Sequence, residues 1–311
     1  MGYLFLVISV FSGSVKGFFG KKVSNQTAGL KSAALANFIR MLFCIPIGFM
    51  FVLFDGGVSS LLVEKEVLLV ALFAGVSTSV FIASWLLAIQ KSAYTAMDAF
   101  LSMGILVPIV LSAIFYKEKV MLSQIIGLVL LLCAVIVMSL YNKQVKAKLS
   151  IGSILLLFVV SVTNGLADFS QKVFVYTSPN ASASVFNFYT YIVSAVVLFI
   201  LFICIKDKPS ESIGLQEEGV SATEPKKNML DKQKLLYIAI MAFALFSYSY
   251  FKTLAAGRLS AAELYPLSQG LSMLFSLVMA SVLFKEKIKP LTIIGMVVLF
   301  TGLLFINFIV F

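Results

Sequence analysis

The feature that most constrains this chain is a series of long apolar segments with little polar sequence between them. Each segment has the ~20 residues that a helix needs to cross a bilayer, where every backbone group must be satisfied internally. Pro108 and Pro266 predict kinks in the fourth and ninth segments. The sequence therefore predicts an all-α integral membrane protein with ten transmembrane helices, at about 2–20, 33–54, 67–90, 93–115, 121–141, 150–176, 182–205, 235–257, 260–284 and 291–310.

The composition excludes a soluble enzyme. Of the 311 residues, 60% are apolar and only 12% are charged, and the mean hydropathy is +1.04. An ordinary soluble domain carries about a quarter charged residues. The chain has no histidine, which removes histidine-based acid–base catalysis and most zinc sites. Its three cysteines have no metal-binding spacing, so no cofactor or metal is expected.

The chain contains an internal repeat. At a shift of 168 residues, 116–119 (YKEK) aligns with 284–287 (FKEK), a charged triplet that chance does not easily repeat. At a shift of 150 residues, Lys22 aligns with Lys172. The offset changes by roughly the length of one polar segment, 206–234. A repeat with a single insertion in its second copy is therefore predicted.

These matches divide the chain into two five-helix halves, 1–142 and 150–311, with 206–234 as a polar loop between helices seven and eight. Because five is odd, the second half enters the membrane from the opposite side. Many secondary transporters are such inverted repeats, with the substrate site at the repeat interface near mid-membrane. The arrangement predicts transport by alternating access.

An acidic residue follows the fourth and ninth helices, and a glycine lies in the apolar helix after each: Glu118 with Gly127, and Glu286 with Gly295. Together with Arg40 in the second helix, this pattern resembles the drug/metabolite transporter superfamily, specifically its EamA-domain branch. The resemblance implies a ten-helix bundle with a central cavity lined mainly by helices one, three, four, six, eight and nine. It also implies a substrate among amino acids, metabolites, sugars or drugs.

The distribution of basic residues predicts an orientation. Twenty lie in loops or at helix ends, and sixteen of these fall on the side that carries the 206–234 loop. Cytoplasmic loops are enriched in Lys and Arg. The bias predicts a multi-pass protein of the plasma (cytoplasmic) membrane with the 206–234 loop inside and both termini outside, whereas the family resemblance suggests termini inside.

Seven ionisable residues lie within the predicted spans, where charges are costly and are functional candidates by default. The predicted orientation places three of them in the inner half and four in the outer half, and pairing would offset their desolvation. Asp98 and Glu263 lie on helices expected to line the cavity, so either is a candidate to carry a coupling proton or to bind a cationic substrate group. The seven are Lys16, Arg40, Asp98, Asp168, Lys172, Lys252 and Glu263.

Uncharged polar side chains add to the candidate site. Five aromatic residues could form a cation–π box for an amine or could simply pack between helices or at the membrane interface: Trp85, Tyr94, Tyr248, Tyr250 and Tyr265. Asn37 and Asn187 are candidates either to bind substrate or to join helices.

The leading hypothesis is a secondary active transporter of a small organic solute, an amino acid, amine or related metabolite, either proton-coupled or an exchanger. The sequence has no nucleotide-binding motif, so direct ATP drive is not expected. The alternatives are a channel, a non-transporting scaffold or, remotely, a lipid enzyme, although an enzyme would need a metal cluster that the chain lacks. The expected partners are the bilayer, a small-molecule substrate and protons or another coupling ion. The basic excess is typical of cytoplasmic loops, so no nucleic acid is expected, and the chain is expected to be a monomer or a homodimer.

Overall fold

The computed structural model of the chain describes residues 1–25, 29–91, 101, 103–140, 151–205, 231–284 and 290–307. Ten α-helices account for most of these residues, which confirms the prediction of an all-helical membrane protein. They are α1 (Gly2–Asn25), α2 (Gly29–Asp55), α3 (Lys65–Lys91), α4 (Leu106–Tyr116), α5 (Leu122–Leu140), α6 (Ile151–Thr177), α7 (Ala183–Cys204), α8 (Lys232–Ala256), α9 (Ala261–Phe284) and α10 (Pro290–Asn307).

Several of these helices have the dimensions of membrane spans. Within the described residues, six are long and apolar enough to cross a bilayer: α1, α2, α3, α6, α7 and α8. Shorter apolar helices lie in α4, α5 and α10. Large apolar side chains such as Phe115, Leu155 and Val278 are exposed on the outside of the bundle. Such a surface suits lipid, because soluble proteins rarely expose wide apolar patches.

The main packing contacts join the first five helices to the last five. α1 packs on α8 and α3 packs on α6, while α2 packs on α7 and α5 packs on α10. Each helix of the first five can be matched to the helix five places later. This matching turns the pair α1–α8 into the pair α6–α3, and it turns each of the pairs α2–α7 and α5–α10 into itself. The packing therefore has the approximate two-fold symmetry expected of a duplicated fold.

The pair α2 and α7, which the repeat maps onto itself, runs antiparallel. Asp55 ends α2, and its carboxylate accepts a hydrogen bond of 2.9 Å from the hydroxyl of Ser184 in the first turn of α7. Ser182, the residue before α7, also donates to this carboxylate and caps the helix through its contact with the Ser184 N–H group. Corresponding helices thus point in opposite directions, as an inverted repeat requires.

The pair α5 and α10 also runs antiparallel, and at close range. Gly127 lies early in α5 against Ile306, near the end of α10, whereas Gly302 lies against Leu130. A Cβ atom on Gly127 would lie 2.5 Å from the carbonyl oxygen of Gly302. Only glycine allows this approach, which is how small residues let membrane helices pack.

The fourth helix is interrupted. The chain turns at Gly104 and Ile105, and α4 begins at the next residue. A Cβ atom on Gly104 would lie 2.6 Å from the Ser161 carbonyl oxygen of α6. The sequence predicts a kink at Pro108, but the interruption precedes it. Pro108 is the third residue of α4, where its missing N–H group costs little.

Candidate functional site

One face of α1 carries small and polar residues that meet α8. Ser9, Gly13 and Lys16 are four and three residues apart, which places them on the same side of a helix. The Ser9 hydroxyl donates to the Tyr248 carbonyl at 2.8 Å, and a Cβ atom on Gly13 would lie 3.0 Å from the Tyr248 ring. The close approach sets the Lys16 ammonium group over that ring, 4.3 Å from its centre. The first membrane helix therefore delivers a lysine into the bundle.

Deeper in the bundle, Lys252 of α8 forms an ion pair with Asp168 of α6, with 2.6 Å between Nζ and Oδ1. Lys252 also donates to the Tyr248 hydroxyl oxygen at 2.8 Å, and the Tyr265 hydroxyl of α9 donates to the Asp168 carbonyl at 2.7 Å. The side chains of Lys252 and Asp168 are only 3% and 13% exposed. Three helices of the second half are thus held around one buried ion pair.

Lys16 of the first half faces this pair, and Arg40 of the first half lies within electrostatic range of Lys16. Lys16 lies within electrostatic range of Asp168, Lys252 and Arg40 of α2. The Nη1 atom of Arg40 contacts the Met241 sulfur at 3.9 Å. In the part of the chain that the structure describes, the buried Nε atom of Arg40 has no hydrogen-bond partner. We call Lys16, Arg40, Asp168, Tyr248 and Lys252 the central charged cluster.

A second ion pair lies at the face where α1 begins, which we call the N-terminal face. Glu118, between α4 and α5, accepts hydrogen bonds from Lys172 Nζ (2.9 Å), the Tyr176 hydroxyl (2.8 Å) and the Ala261 N–H group (2.6 Å). Lys172 also donates to the Leu259 carbonyl at 2.5 Å. These five residues form the Glu118 network, which joins a first-half loop to α6 and to the start of α9.

The Glu118 carboxylate occupies the N-terminus of α9, where the first N–H groups have no partner within the helix and the helix dipole favours a negative charge. Burial by itself raises the pKa of Glu118. The hydrogen bonds from Ala261, Lys172 and Tyr176 outweigh burial and lower this pKa below its ordinary value. The network therefore holds an ionised carboxylate at neutral pH.

Glu263 lies in the first turn of α9, at the N-terminal face. Its Oε2 atom accepts a 3.1 Å hydrogen bond from the Ser260 N–H group, and its own N–H group donates to the Ser260 hydroxyl at 3.3 Å. This reciprocal arrangement is a capping box. Glu263 is within electrostatic range of Lys172. The structure thus places it beside the Glu118 network, and its role in coupling stays a prediction.

The two asparagines make equivalent contacts. The side-chain amides of Asn37 and Asn187 each donate to the carbonyl four residues earlier, those of Ala33 and Ala183. The two matched positions of the repeat therefore make the same hydrogen bond. Asn187 also donates to the Thr253 hydroxyl at 3.1 Å, which joins α7 to α8. A substrate-binding role for either asparagine stays a prediction.

The remaining candidates are more scattered. Trp85 of α3 packs against a small core around Leu157 and Val160 of α6. Asp98 and Tyr94 lie outside the described residues. The structure brings together five of the predicted site residues, namely Lys16, Arg40, Asp168, Lys252 and Tyr265.

Sequence reasoning left Glu118 out of the candidate site. Tyr248, one of the aromatic residues considered for a cation–π box, lies one helical turn before Lys252 and contacts it. Glu118 marks the repeat, but it lies in a loop and was not among the charges predicted within the spans. The partner of Lys172 is therefore this loop residue and not a carboxylate within the spans.

Two cavities open near the N-terminal face. One of about 370 Å³ is lined mainly by apolar side chains of α2 and α8 with Asp55 at its edge. The other, of about 400 Å³, is lined by Glu118, Lys119, Lys172, Arg258 and neighbouring residues. Neither lining includes Lys252 or Asp168. Among the described residues, no group of three or more His, Cys, Asp or Glu could hold a metal ion.

An apolar helical bundle with antiparallel matched helices, and with charges buried between its halves, is a multi-pass membrane protein with an inverted repeat. The model of the EamA-like transporter family matches residues 1–140 and again residues 151–308, and the chain belongs to this family. Membership implies a transporter and not an enzyme, as the sequence predicts, and the predicted resemblance is confirmed.

The fold is shared with a solved structure described as "Crystal structure of protein", at a TM-score of 0.70 and 13% sequence identity. The similarity covers 98% of this chain and 96% of that one, and it shows the fold alone. No curated protein matches the chain.

Proposed function

We propose that the protein is a secondary active transporter of a small organic solute that works by alternating access. The central charged cluster supports this proposal most directly. Lys16 and Arg40 come from the first half and Asp168 and Lys252 from the second, so the cluster lies at the interface between the halves. A substrate held there contacts both halves, and a rocking motion of one half against the other changes which side reaches it.

In this proposal the Glu118 network closes the transport pathway at the N-terminal face. It links the α4–α5 loop to the ends of α6 and α8 and to the start of α9. Those connections span both halves, so the N-terminal face opens only when they break. Every donor involved has an alternative partner in water, which keeps the barrier to opening moderate.

The orientation and domain boundaries belong to the same proposal. We place the protein in the cytoplasmic membrane with the 206–234 loop inside and both termini outside, and we divide it at 1–142 and 150–311. The Glu118 network then closes the external side. A cysteine introduced into 206–234 should resist impermeant thiol reagents in whole cells and react after permeabilisation, and labelling in intact cells would overturn this orientation.

We propose that substrate transport is either coupled to protons or is an exchange of one solute for another. Asp98 and Glu263 are the candidate coupling carboxylates, and Trp85, Tyr94 and Tyr265 are candidate contacts for the substrate. In proton-coupled transport, Asp98→Asn or Glu263→Gln should abolish the response to an imposed pH gradient while substrate exchange persists. An unchanged response in both variants, at equal expression, removes these carboxylates from the proposal.

The transport proposal is tested by reconstitution. Vesicles containing the purified chain should show saturable uptake of a labelled solute and counterflow, the transient accumulation driven by unlabelled solute on the far side. Asp168→Asn should abolish both, whereas Asp231→Asn, at the exposed start of α8, should retain both. Linear, non-saturating flux without counterflow indicates a channel. Absence of flux for all solutes that stabilise the protein indicates a scaffold.

A further inference from the structure

The central charged cluster is unbalanced. In the described residues it contains three cations, Lys16, Arg40 and Lys252, and one carboxylate, Asp168. Lys16 lies within electrostatic range of the other three groups. Asp168 is already engaged, since Lys252 Nζ lies 2.6 Å from its Oδ1 atom. Lys16 and Arg40 have no carboxylate of their own in this part of the chain. A surplus of buried positive charge is costly unless something compensates it.

Arg40 is the less satisfied of the two cations. A guanidinium group offers five N–H donors in a planar fork. The described contacts of Arg40 are a 3.9 Å approach of Nη1 to the Met241 sulfur, a weak acceptor, and a buried Nε atom without a partner. The side chain is neither fully buried nor exposed. The described residues therefore leave its fork of donors largely unsatisfied.

Lys16 of α1 lies within electrostatic range of Arg40. Its ammonium group lies over the Tyr248 ring at 4.3 Å, an interaction that leaves its N–H donors available to an oxygen ligand. Like Arg40, Lys16 is only partly buried although it lies in the middle of a helix. A small group placed between α1 and α2 meets both cations and the donors of α8.

We propose that the transported solute carries an anionic group, a carboxylate or a phosphate, which binds between Lys16 and Arg40. This inference rests on the proposed transport function and narrows its substrate class. An oxyanion satisfies the guanidinium fork in bidentate fashion and neutralises the surplus charge. A simple amine would instead meet three cations and a carboxylate that is already paired. An amino acid remains compatible through its carboxylate.

Thermal unfolding of the full-length chain in detergent tests this assignment, because a ligand that binds the folded state raises Tm. The probes are matched pairs at constant ionic strength: succinate with succinamide, and glycerol 3-phosphate with glycerol, together with putrescine as an amine. We expect stabilisation by one of the anions and none by its neutral partner. The two pairs distinguish a carboxylate from a phosphate. Stabilisation by putrescine alone, or by no anion at any concentration, overturns the proposal.

Variants then locate the anion. Arg40→Gln should weaken its apparent affinity by at least about tenfold, because hydrogen bonds to charged groups contribute about 1.5–3 kcal/mol. Arg40→Lys keeps the charge and the fold and should give an intermediate loss. Lys22→Gln is the matched control, since Lys22 lies at the end of α1 beside the rings of Phe18 and Tyr237. Equal losses in Arg40→Gln and Lys22→Gln would contradict the site.

Asp98 provides a further check, because it lies outside the described residues and the sequence places it in the same half of the membrane as Lys16. Anions should already stabilise the natural chain, in which Asp98 is present. If anions stabilise only Asp98→Asn and not the natural chain, Asp98 is the counter-ion and the proposal is wrong. If an amine shows counterflow and anions do not inhibit it, the protein is a transporter but the proposed anion site is wrong.

Discussion

The two buried ion pairs of this protein resemble each other closely and differ in their surroundings. The lysines of Lys252–Asp168 and Lys172–Glu118 are both 3% exposed, and the carboxylates are 13% and 10% exposed. Glu118 accepts three hydrogen bonds from two segments, α6 and the start of α9, and Lys172 also donates to a backbone carbonyl. Asp168 instead has Lys16 within electrostatic range in addition to its partner Lys252. The Glu118 pair is therefore suited to hold segments together, whereas the Asp168 pair is suited to change its ionic partner.

The largest effect should come from breaking the central pair. Asp168→Asn leaves Lys252 buried without its carboxylate and within electrostatic range of a second cation, Lys16. Loss of one partner of a buried pair costs about 3–5 kcal/mol. We expect a pronounced fall in Tm and loss of counterflow. Asp231→Asn, on an exposed carboxylate that makes no side-chain capping hydrogen bond to α8, serves as control. Full counterflow by Asp168→Asn would remove the central cluster from the transport site.

Breaking the peripheral pair should have a smaller effect of a different kind. Glu118→Gln removes the charged acceptor from Lys172 and Ala261, and we expect a loss of about 2 kcal/mol in stability. Substrate affinity should be unchanged, because the network does not contact the central cluster. A cysteine at Ser260 should become more reactive to thiol reagents in this variant. Equal reactivity with and without the substitution would argue against a closure at this face.

Acidification should cause part of the stability loss that we expect for Glu118→Gln. The pKa of Glu118 is lower in the folded protein than in the unfolded chain, so its ionised form stabilises the fold above the unfolded value. This contribution disappears as pH falls through the folded value. The difference in Tm between the natural chain and Glu118→Gln should be full near neutral pH and should shrink on acidification. Glu64→Gln, at an exposed glutamate, should show no such convergence.

The smallest effect should come from a single donor of the network. Tyr176→Phe removes one of the three hydrogen bonds to Glu118, at a cost of about 1 kcal/mol. Tyr189→Phe is matched, since it removes a 2.8 Å hydrogen bond to the neutral Leu61 carbonyl. Bonds to charged acceptors are the stronger ones. Tyr176→Phe should therefore lower Tm more, and the reverse order would show that the network adds little stability.

Much of the fold follows from the sequence, because a bilayer permits so few solutions. Long apolar segments must form helices there, and the repeated Lys-Glu-Lys triplet fixes the correspondence between halves. The interruption at Gly104 is different. It depends on the close approach of the α6 backbone at Ser161, a contact between distant segments that the local signal of Pro108 does not reveal.

The site was predicted less completely than the fold. Ionisable residues in spans identified four members of the central charged cluster, because their cost in lipid makes them conspicuous. The pairing did not follow, since it depends on which helices pack together. Lys16 faces Asp168 and Lys252 although the orientation argument assigned them to opposite halves of the membrane. Glu118 lies in a loop, so its contacts with Lys172 and Ala261 needed the assembled bundle.

The packing of each early helix on a late one has a consequence for biosynthesis. α1, α2, α3 and α5 find their main partners in α8, α7, α6 and α10, so the first half leaves the ribosome before its partners exist. α5 in particular waits for the last helix of the chain, and the backbone contact between Gly127 and Gly302 forms only then. Assembly of this bundle is therefore a late, post-insertional event, during which the charged interior must be shielded by water or by the insertion machinery.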